Sequence, residues 1–392
     1  MTAHDGRLRI VVLGYVVGFP LGGMTWHSVQ YATGLAALGH DVWLIEDSHD
    51  YETNYDPVTG AVGTDPTYGV AYAGRVLGRL GLGDRWAYHH AHTGSWRGPA
   101  AGEAPEICRT ADVVLNVAGI HPLRPWLEEV PLRVFIDADP VFTQIRHLTD
   151  PGAKAHAEAH THFLTFGERI GTPGCTVPDD GLPWRPTRQP VTLDAWQAGP
   201  EPDVTTLPFT TVMQWDSYPT ATWNGTTYGM KSAAFGDFVD LPGRVDVPLH
   251  LAVGRADAAT ERQLSTLGWE LSDPQAATWD PWVYQSFIHG SAAEWSVAKH
   301  GYVTSRSGWF SERSTGYLAS HRPVVVQDTG FSAVLPCGEG LLAFTDVAEA
   351  AACIEDVRAR YATHTLAARE IAREHFGADR VLSRLLAEVG AG

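Results

Sequence analysis

Residues 299–331, KHGYVTSRSGWFSERSTGYLASHRPVVVQDTGF, decide the fold. Ser307-Gly308-Trp309-Phe310-Ser311 forms a turn of small and aromatic residues that leads into a helix expected over 312–320. A buried strand is expected over 323–326, followed by the polar turn Gln327-Asp328-Thr329-Gly330. The first N–H groups of a helix lack intrahelical partners, and the helix dipole adds partial positive charge there. Small hydroxylated residues leave those groups accessible, so this strand-turn-helix-strand unit is a candidate phosphate site.

The whole chain has 392 residues, which at ~150 per domain suggests two domains. It is 44% hydrophobic and 19% charged, a composition of globular proteins. With 28 Lys and Arg against 45 Asp and Glu, the net charge of −17 argues against a nucleic-acid footprint or attraction to an anionic membrane. An anionic substrate would need a local positive field, for which Arg306, Arg313, Arg322 and Lys231 are candidates. Cys108, Cys175, Cys337 and Cys353 are scattered without CxxC spacing and read as reduced thiols rather than a disulfide frame or a zinc site. No signal-peptide layout and no apolar run near ~18 residues is present, so a soluble, cytoplasmic protein without membrane insertion is expected.

The first 50 residues read as strand, glycine-rich loop, helix and strand. An apolar run over 9–13 suits a strand buried on both faces, and 25–38 carries apolar residues at helical spacing before Gly39 and a strand over 41–45. This is the βαβ opening of a doubly wound domain. Further strands are expected over 112–117 and 133–136, whereas 51–66 and 84–105 read as long loops. Eight prolines between residues 173 and 208 break any long element, placing a domain boundary near residue 200. Strands expected over 210–214, 249–253, 269–271, around Val297 and over 324–326, with helices over 283–293, 346–360 and 363–389, give a second α/β domain. The glycines Gly14, Gly18, Gly22 and Gly23 do not fit G-x-G-x-x-G, which disfavours a nicotinamide or flavin cofactor.

Gly22-Gly23, His27 and Gly39-His40-Asp41-Val42, with 17 residues from Gly22 to Gly39, resemble the opening of GT-B fold glycosyltransferases, especially the large retaining group-1 type. Ala319-Ser320-His321-Arg322-Pro323-Val324-Val325 is similar to that family's "A.G.PVV", and Asp328 stands at its "SD.GG" turn. Phe376, Arg380-Val381-Leu382 and Leu385-Leu386 look like its closing helix. The resemblance implies two Rossmann-like domains facing a central cleft: 1–200 for the acceptor and 201–392 for a nucleotide-diphosphate sugar, the last helix crossing back to the first domain. There is a departure. The family's two glutamates, with seven residues between them, correspond to Gly308 and Gly316, with Glu312 between them. Ser307–Ser311 also resembles the "GWNS" turn of inverting natural-product enzymes, which leaves the stereochemical outcome open.

Site residues follow from the resemblance together with local chemistry. Gly22, Gly23, Lys231, Ser307, Gly308, Trp309, Ser311, Glu312, Arg313, Ser314, Asp328 and Thr329 are the donor candidates. Lys231 resembles in order the family's phosphate-binding lysine; the arginine that usually precedes it has no match, and Trp215 or Trp223 holds that neighbourhood. Trp279 or Trp282 is a candidate for stacking on the base. His27, His121 and Asp139 are the candidate bases, imidazole being suited to removing a hydroxyl proton near neutral pH. Asp137 and Asp139 also form a D-x-D pair, and His89, His90, His92, His156, His160 and His162 have chelating spacings, but no cofactor and no metal is expected. The expected partners are a nucleotide-sugar donor and a small-molecule or saccharide acceptor, without nucleic acid. A sugar-nucleotide epimerase and a non-catalytic nucleotide-sugar binding protein are the alternatives on the same fold.

Overall fold

A computed structural model describes residues 6–197, 204 and 206–392. The expected boundary at residue 200 lies outside the described residues. Strands of the first sheet all fall within residues 9–186 and those of the second within 209–344.

Across the first sheet the strands run Arg185–Pro186, His162–Thr165, Leu132–Asp137, Val113–Val117, Arg9–Leu13, Asp41–Asp47, Trp86–His90 and Ser95–Arg97. All neighbours are parallel except the last pair, which is an antiparallel hairpin. Ile10, Val11, Val12 and Leu13 are all buried, as a central parallel strand covered on both faces requires. The region 84–105 thus contributes an edge hairpin rather than a long loop. Alternation there was hidden because Trp86 to His90 are all buried. Residues 51–66 hold a second small hairpin, Asn54–Asp56 with Ala61–Gly63.

The second sheet runs Glu270–Ser272, Leu249–Gly254, Phe209–Gln214, Ala293–Ser296, Val324–Gln327 and Leu341–Phe344, wholly parallel. The strand expected around Val297 ends at Ser296, so Val297, Ala298 and Lys299 leave from its carboxyl end. The helix expected over 363–389 is two helices, Tyr361–Ile371 and Ala378–Glu388, separated by a π turn and Gly377. Chain pairing explains the break: Val191 N donates to the Phe376 carbonyl at 2.7 Å and Ala378 N to the Val191 carbonyl at 2.9 Å. Beyond it, Ala378 and Leu382 pack against Gly34 of helix Gly22–Ala37 in the first domain.

In each sheet the order reverses beside the first strand. Arg9–Leu13 lies between Asp41–Asp47 and Val113–Val117; Phe209–Gln214 lies between Leu249–Gly254 and Ala293–Ser296. Crevices at the carboxyl ends of such switch points are where open α/β sheets bind ligands. The two carboxyl edges face each other: Trp309 Nε1 donates to the Ala138 carbonyl at 3.1 Å, and Arg169 N to the Ser307 carbonyl at 3.0 Å.

Helix packing closes the other side of this seam. Asp280 caps helix Pro281–His289, its carboxylate accepting from Trp282 N and Val283 N at 2.8 and 2.9 Å. A Cβ on Gly22 would stand 2.3 Å from the Asp280 carbonyl oxygen, so the two domains meet there backbone to backbone. Gly22→Ala is expected to cost about 1–3 kcal/mol by forcing these helices apart; an unchanged melting temperature would contradict this contact.

Candidate functional site at the domain seam

The second switch point carries a cluster of cations. Met230 accepts from His300 N at 3.2 Å and Gly229 from Gly301 N at 3.0 Å, which sets Lys231 and Lys299 on adjacent backbone segments. Arg313 comes in from helix Glu312–Ala319, but its guanidinium turns to the protein: Nε meets Glu294 at 2.6 Å, Nη1 the Val212 carbonyl at 3.0 Å and Nη2 Ser296 Oγ at 2.8 Å. Arg313 therefore anchors the start of the helix to the sheet instead of standing free for a phosphate. Lys231 differs. Among the described residues no hydrogen bond or ion pair engages its ammonium. Burial, then the Arg313 and Lys299 charges, hold its pKa well below the ordinary lysine value. Arg306 is an exposed left-handed cap and Arg322 turns inward onto the His289 carbonyl, so neither joins the cluster.

Ser311 caps helix Glu312–Ala319, its hydroxyl accepting from Arg313 N at 3.2 Å. On the core side of that helix start, Ser296, Ser311, Arg313, Ser314 and Thr329 line a cavity of only about 10 Å³, room for roughly one water. Thr329 Oγ1 donates to the Trp309 carbonyl at 2.5 Å, and Ser307 Oγ accepts from Trp309 N at 3.3 Å. Ser307 and Thr329 thus shape the turn from within and Ser314 is buried beside them, while Glu312 and Lys231 are partly exposed. Trp309 packs at a tilt on Tyr302, ring centres 4.4 Å apart, and tethers the domains. Asp328 caps its own turn, accepting from Gly330 N at 2.8 Å and Ser332 Oγ at 2.7 Å. That geometry leaves its carboxylate to the backbone rather than to a sugar.

Gly308, with φ of +79°, lies under Arg169; Gly316 lies under Trp196, whose ring would be 3.0 Å from an added Cβ. Gln30 holds that Trp196 indole at 2.9 Å. First-domain and linker side chains occupy the space glutamates would need. Gly22 and Gly23 face Asp280 and Tyr284, so their close approach is to protein. Trp282 lies beneath the Arg79 guanidinium at 3.8 Å, whereas Trp279 is 38% exposed.

The three candidate bases occupy different surroundings. His27 is partly exposed on helix Gly22–Ala37, flanked by Tyr31 and Phe166 rings. Burial holds its pKa below the ordinary value, opposed by the Glu312 carboxylate across the seam. His121 is fully buried at the first switch point and packed on Tyr15 and His49. Burial pushes its pKa down to about 3. Asp139 is held by Lys299 Nζ at 2.9 Å and by the hydroxyls of Tyr218 and Tyr302. Burial pushes its pKa up, but Lys299 and both hydroxyls outweigh it and leave it low. Asp137 is wholly buried and accepts from Thr143, Gln144, Thr165 and Asp139 N, a structural anchor rather than a cation ligand. Of the three, His27 combines exposure to the seam with a neutral imidazole.

Lys299, Tyr218, Tyr302 and Arg169 escaped the sequence reading. A lysine three residues past a strand that follows the switch was the available signal for Lys299; the tyrosines had none. Among the described residues no group of three metal-ligating side chains could hold an ion, and no helix is long and apolar enough to cross a membrane.

No protein-family model matches the chain, and no curated protein matches it in sequence. Solved structures do match in fold. AviGT4, a glycosyltransferase involved in avilamycin A biosynthesis, superposes with a TM-score of 0.54 at 13% identity, over 98% of this chain and 97% of that one. HepE of Anabaena in complex with UDP-glucose gives 0.56 at 11% identity, over 98% and 100%. An α-glucosyltransferase in complex with UDP and a 13-mer DNA gives 0.58 at 9% identity, over 98% and 100%. The likeness establishes the architecture: the chain has the two-domain GT-B fold of these glycosyltransferases.

Proposed function

We propose that the protein is a glycosyltransferase that moves a sugar from a nucleotide-diphosphate donor, held by residues 201–392, to a hydroxyl of an acceptor held by residues 1–200. The observation that carries this reading is Lys231, a half-buried ammonium without an anionic partner at the switch point of the second sheet. A diphosphate supplies the missing charge, and the free N–H groups at the start of helix Glu312–Ala319 supply further donors. In the reaction the acceptor oxygen bonds to the anomeric carbon and the bond from that carbon to the phosphate oxygen breaks. The acceptor proton passes to His27, and Lys231 stabilises the charge that develops on the departing diphosphate. No residue here is assigned to a metal. A small-molecule or saccharide acceptor, as in natural-product assembly, in a cytoplasmic setting, fits the net charge of −17 better than DNA does.

Titration calorimetry with UDP, GDP, ADP and dTDP, followed by turnover of the corresponding sugar donors with a panel of acceptors, tests the reading; failure of every nucleoside diphosphate to bind would overturn it. His27→Ala is expected to lower kcat by about 10²–10⁴-fold with nucleotide affinity kept. Full turnover in that variant would remove His27 as the base. The burial of Gly308 and Gly316 beneath Arg169 and Trp196, where two glutamates would stand, favours a second reading as a nucleotide-sugar binding protein. Tight donor binding without transfer to any acceptor would establish it.

A further inference from the structure

The ammonium of Lys299 is enclosed by groups from both domains. Asp139 and Phe142 come from the first, Tyr218 and Tyr302 from the second. Nζ lies 2.9 Å from Asp139 Oδ1 and 2.6 Å from Tyr218 Oη, and it stands 4.4 Å from the Tyr218 ring centre and 5.2 Å from those of Phe142 and Tyr302. Aromatic faces and a carboxylate both attract an ammonium. Yet Lys299 leaves the carboxyl end of Ala293–Ser296, beside Lys231, at the crevice where a doubly wound sheet binds an anion. Glu294 already neutralises Arg313 within the same cluster. While Asp139 holds Lys299, Lys231 is the cation of this cluster that has no counter-charge among the described residues, one charge for the two of a diphosphate.

We propose that Lys299 is a second diphosphate ligand and that Asp139 occupies it in the unliganded protein, so that the donor and the first domain's carboxylate compete for one ammonium. This rests on the donor reading above. Binding of the diphosphate transfers Lys299 from Asp139 to a phosphate oxygen, and the same exchange loosens a cross-domain contact. Donor binding is thereby coupled to the relative position of the domains, and Asp139 is freed at the seam.

The signs of two substitutions in one ion pair separate this from a structural role. Asp139→Asn keeps the shape and an oxygen for the Tyr302 hydroxyl, its amide N–H donates to the Tyr218 oxygen in place of the bond that Tyr218 gave, and the charge that holds Lys299 is lost; it is expected to raise UDP affinity about tenfold. Tyr218→Phe, which removes the other polar hold on the ammonium, is expected to raise it by a smaller factor. Lys299→Met keeps the apolar stem in the aromatic enclosure and is expected to lower UDP affinity about tenfold or more. Calorimetry with UDP, on variants whose melting shows that they fold, reads all three. Unchanged or weakened UDP binding in Asp139→Asn and Tyr218→Phe overturns the competition, and either of these two decides it if Lys299→Met does not fold. Should wild-type protein bind no nucleoside diphosphate, the donor reading itself fails, and this proposal with it.

Discussion

Lys231→Ala will lower affinity for the nucleoside diphosphate by about 10–150-fold while leaving the melting temperature unchanged or higher. A charge-assisted hydrogen bond to phosphate contributes about 1.5–3 kcal/mol, which converts to that range. The opposite effect on stability follows from the same geometry. Lys231 has no anionic partner among the described residues, and burial with the neighbouring Arg313 and Lys299 charges already disfavours its ammonium. Removing it relieves that repulsion, against a weaker attraction to Glu312 and Glu294, and breaks no hydrogen bond or ion pair among the described residues. Lysines that serve folding lose stability when truncated, whereas one that serves a ligand loses only binding. Calorimetry and melting on the same preparation distinguish the two; equal affinity in both proteins would remove Lys231 from the site.

Glu46→Ala will destabilise the protein by about 3–5 kcal/mol, the cost typical of removing one partner from a buried charged arrangement. Glu46 lies one residue before the end of strand Asp41–Asp47, is 3% exposed, and accepts from Val16 N and Val17 N at 2.7 Å each and from Gly18 N at 2.5 Å. Without the carboxylate those three amides are buried and unpaired. For a domain of this size the melting temperature would fall by roughly 10 °C. Burial, with a smaller push from Asp47, raises the Glu46 pKa to about 7 despite the three amides. A carboxyl group whose folded pKa is raised favours the folded state below its unfolded value near 4.5, and loses that contribution as pH rises through 7. Glu46→Gln, which mimics the protonated form, should therefore gain stability relative to wild type between pH 5 and pH 8. A difference that does not change with pH would contradict a buried carboxylate that titrates there.

Glu46 also organises the loop after the first strand. Three amides of that loop, those of Val16, Val17 and Gly18, converge on the protein's own carboxyl group. Gly22 and Gly23 were legible as a place where backbone must come close; only the fold reveals that the approaching group is the Asp280–Tyr284 backbone and ring. The strands 9–13 and 324–327 were readable because central parallel strands are continuous apolar runs. The edge hairpin 86–97 was not, since buried Trp, Tyr and His residues there leave no simple alternation. Lys231 could be singled out by its order in the chain, but its burial beside Arg313 and Lys299 could not. Arg313 was legible as a helix-start residue, but its direction was not, because nothing local announces that Glu294, Val212 and Ser296 wait behind it. Lys299, Tyr218 and Asp139 converge from three distant segments, a tertiary fact with no local signature.

Diffraction from crystals grown with UDP-glucose tests the central claim most directly. The diphosphate should lie at the switch point of the second sheet, with its oxygens within hydrogen-bond distance of Lys231 Nζ and of the backbone amides that open helix Glu312–Ala319. A nucleotide bound elsewhere, with Lys231 still lacking an anionic partner, would contradict the account.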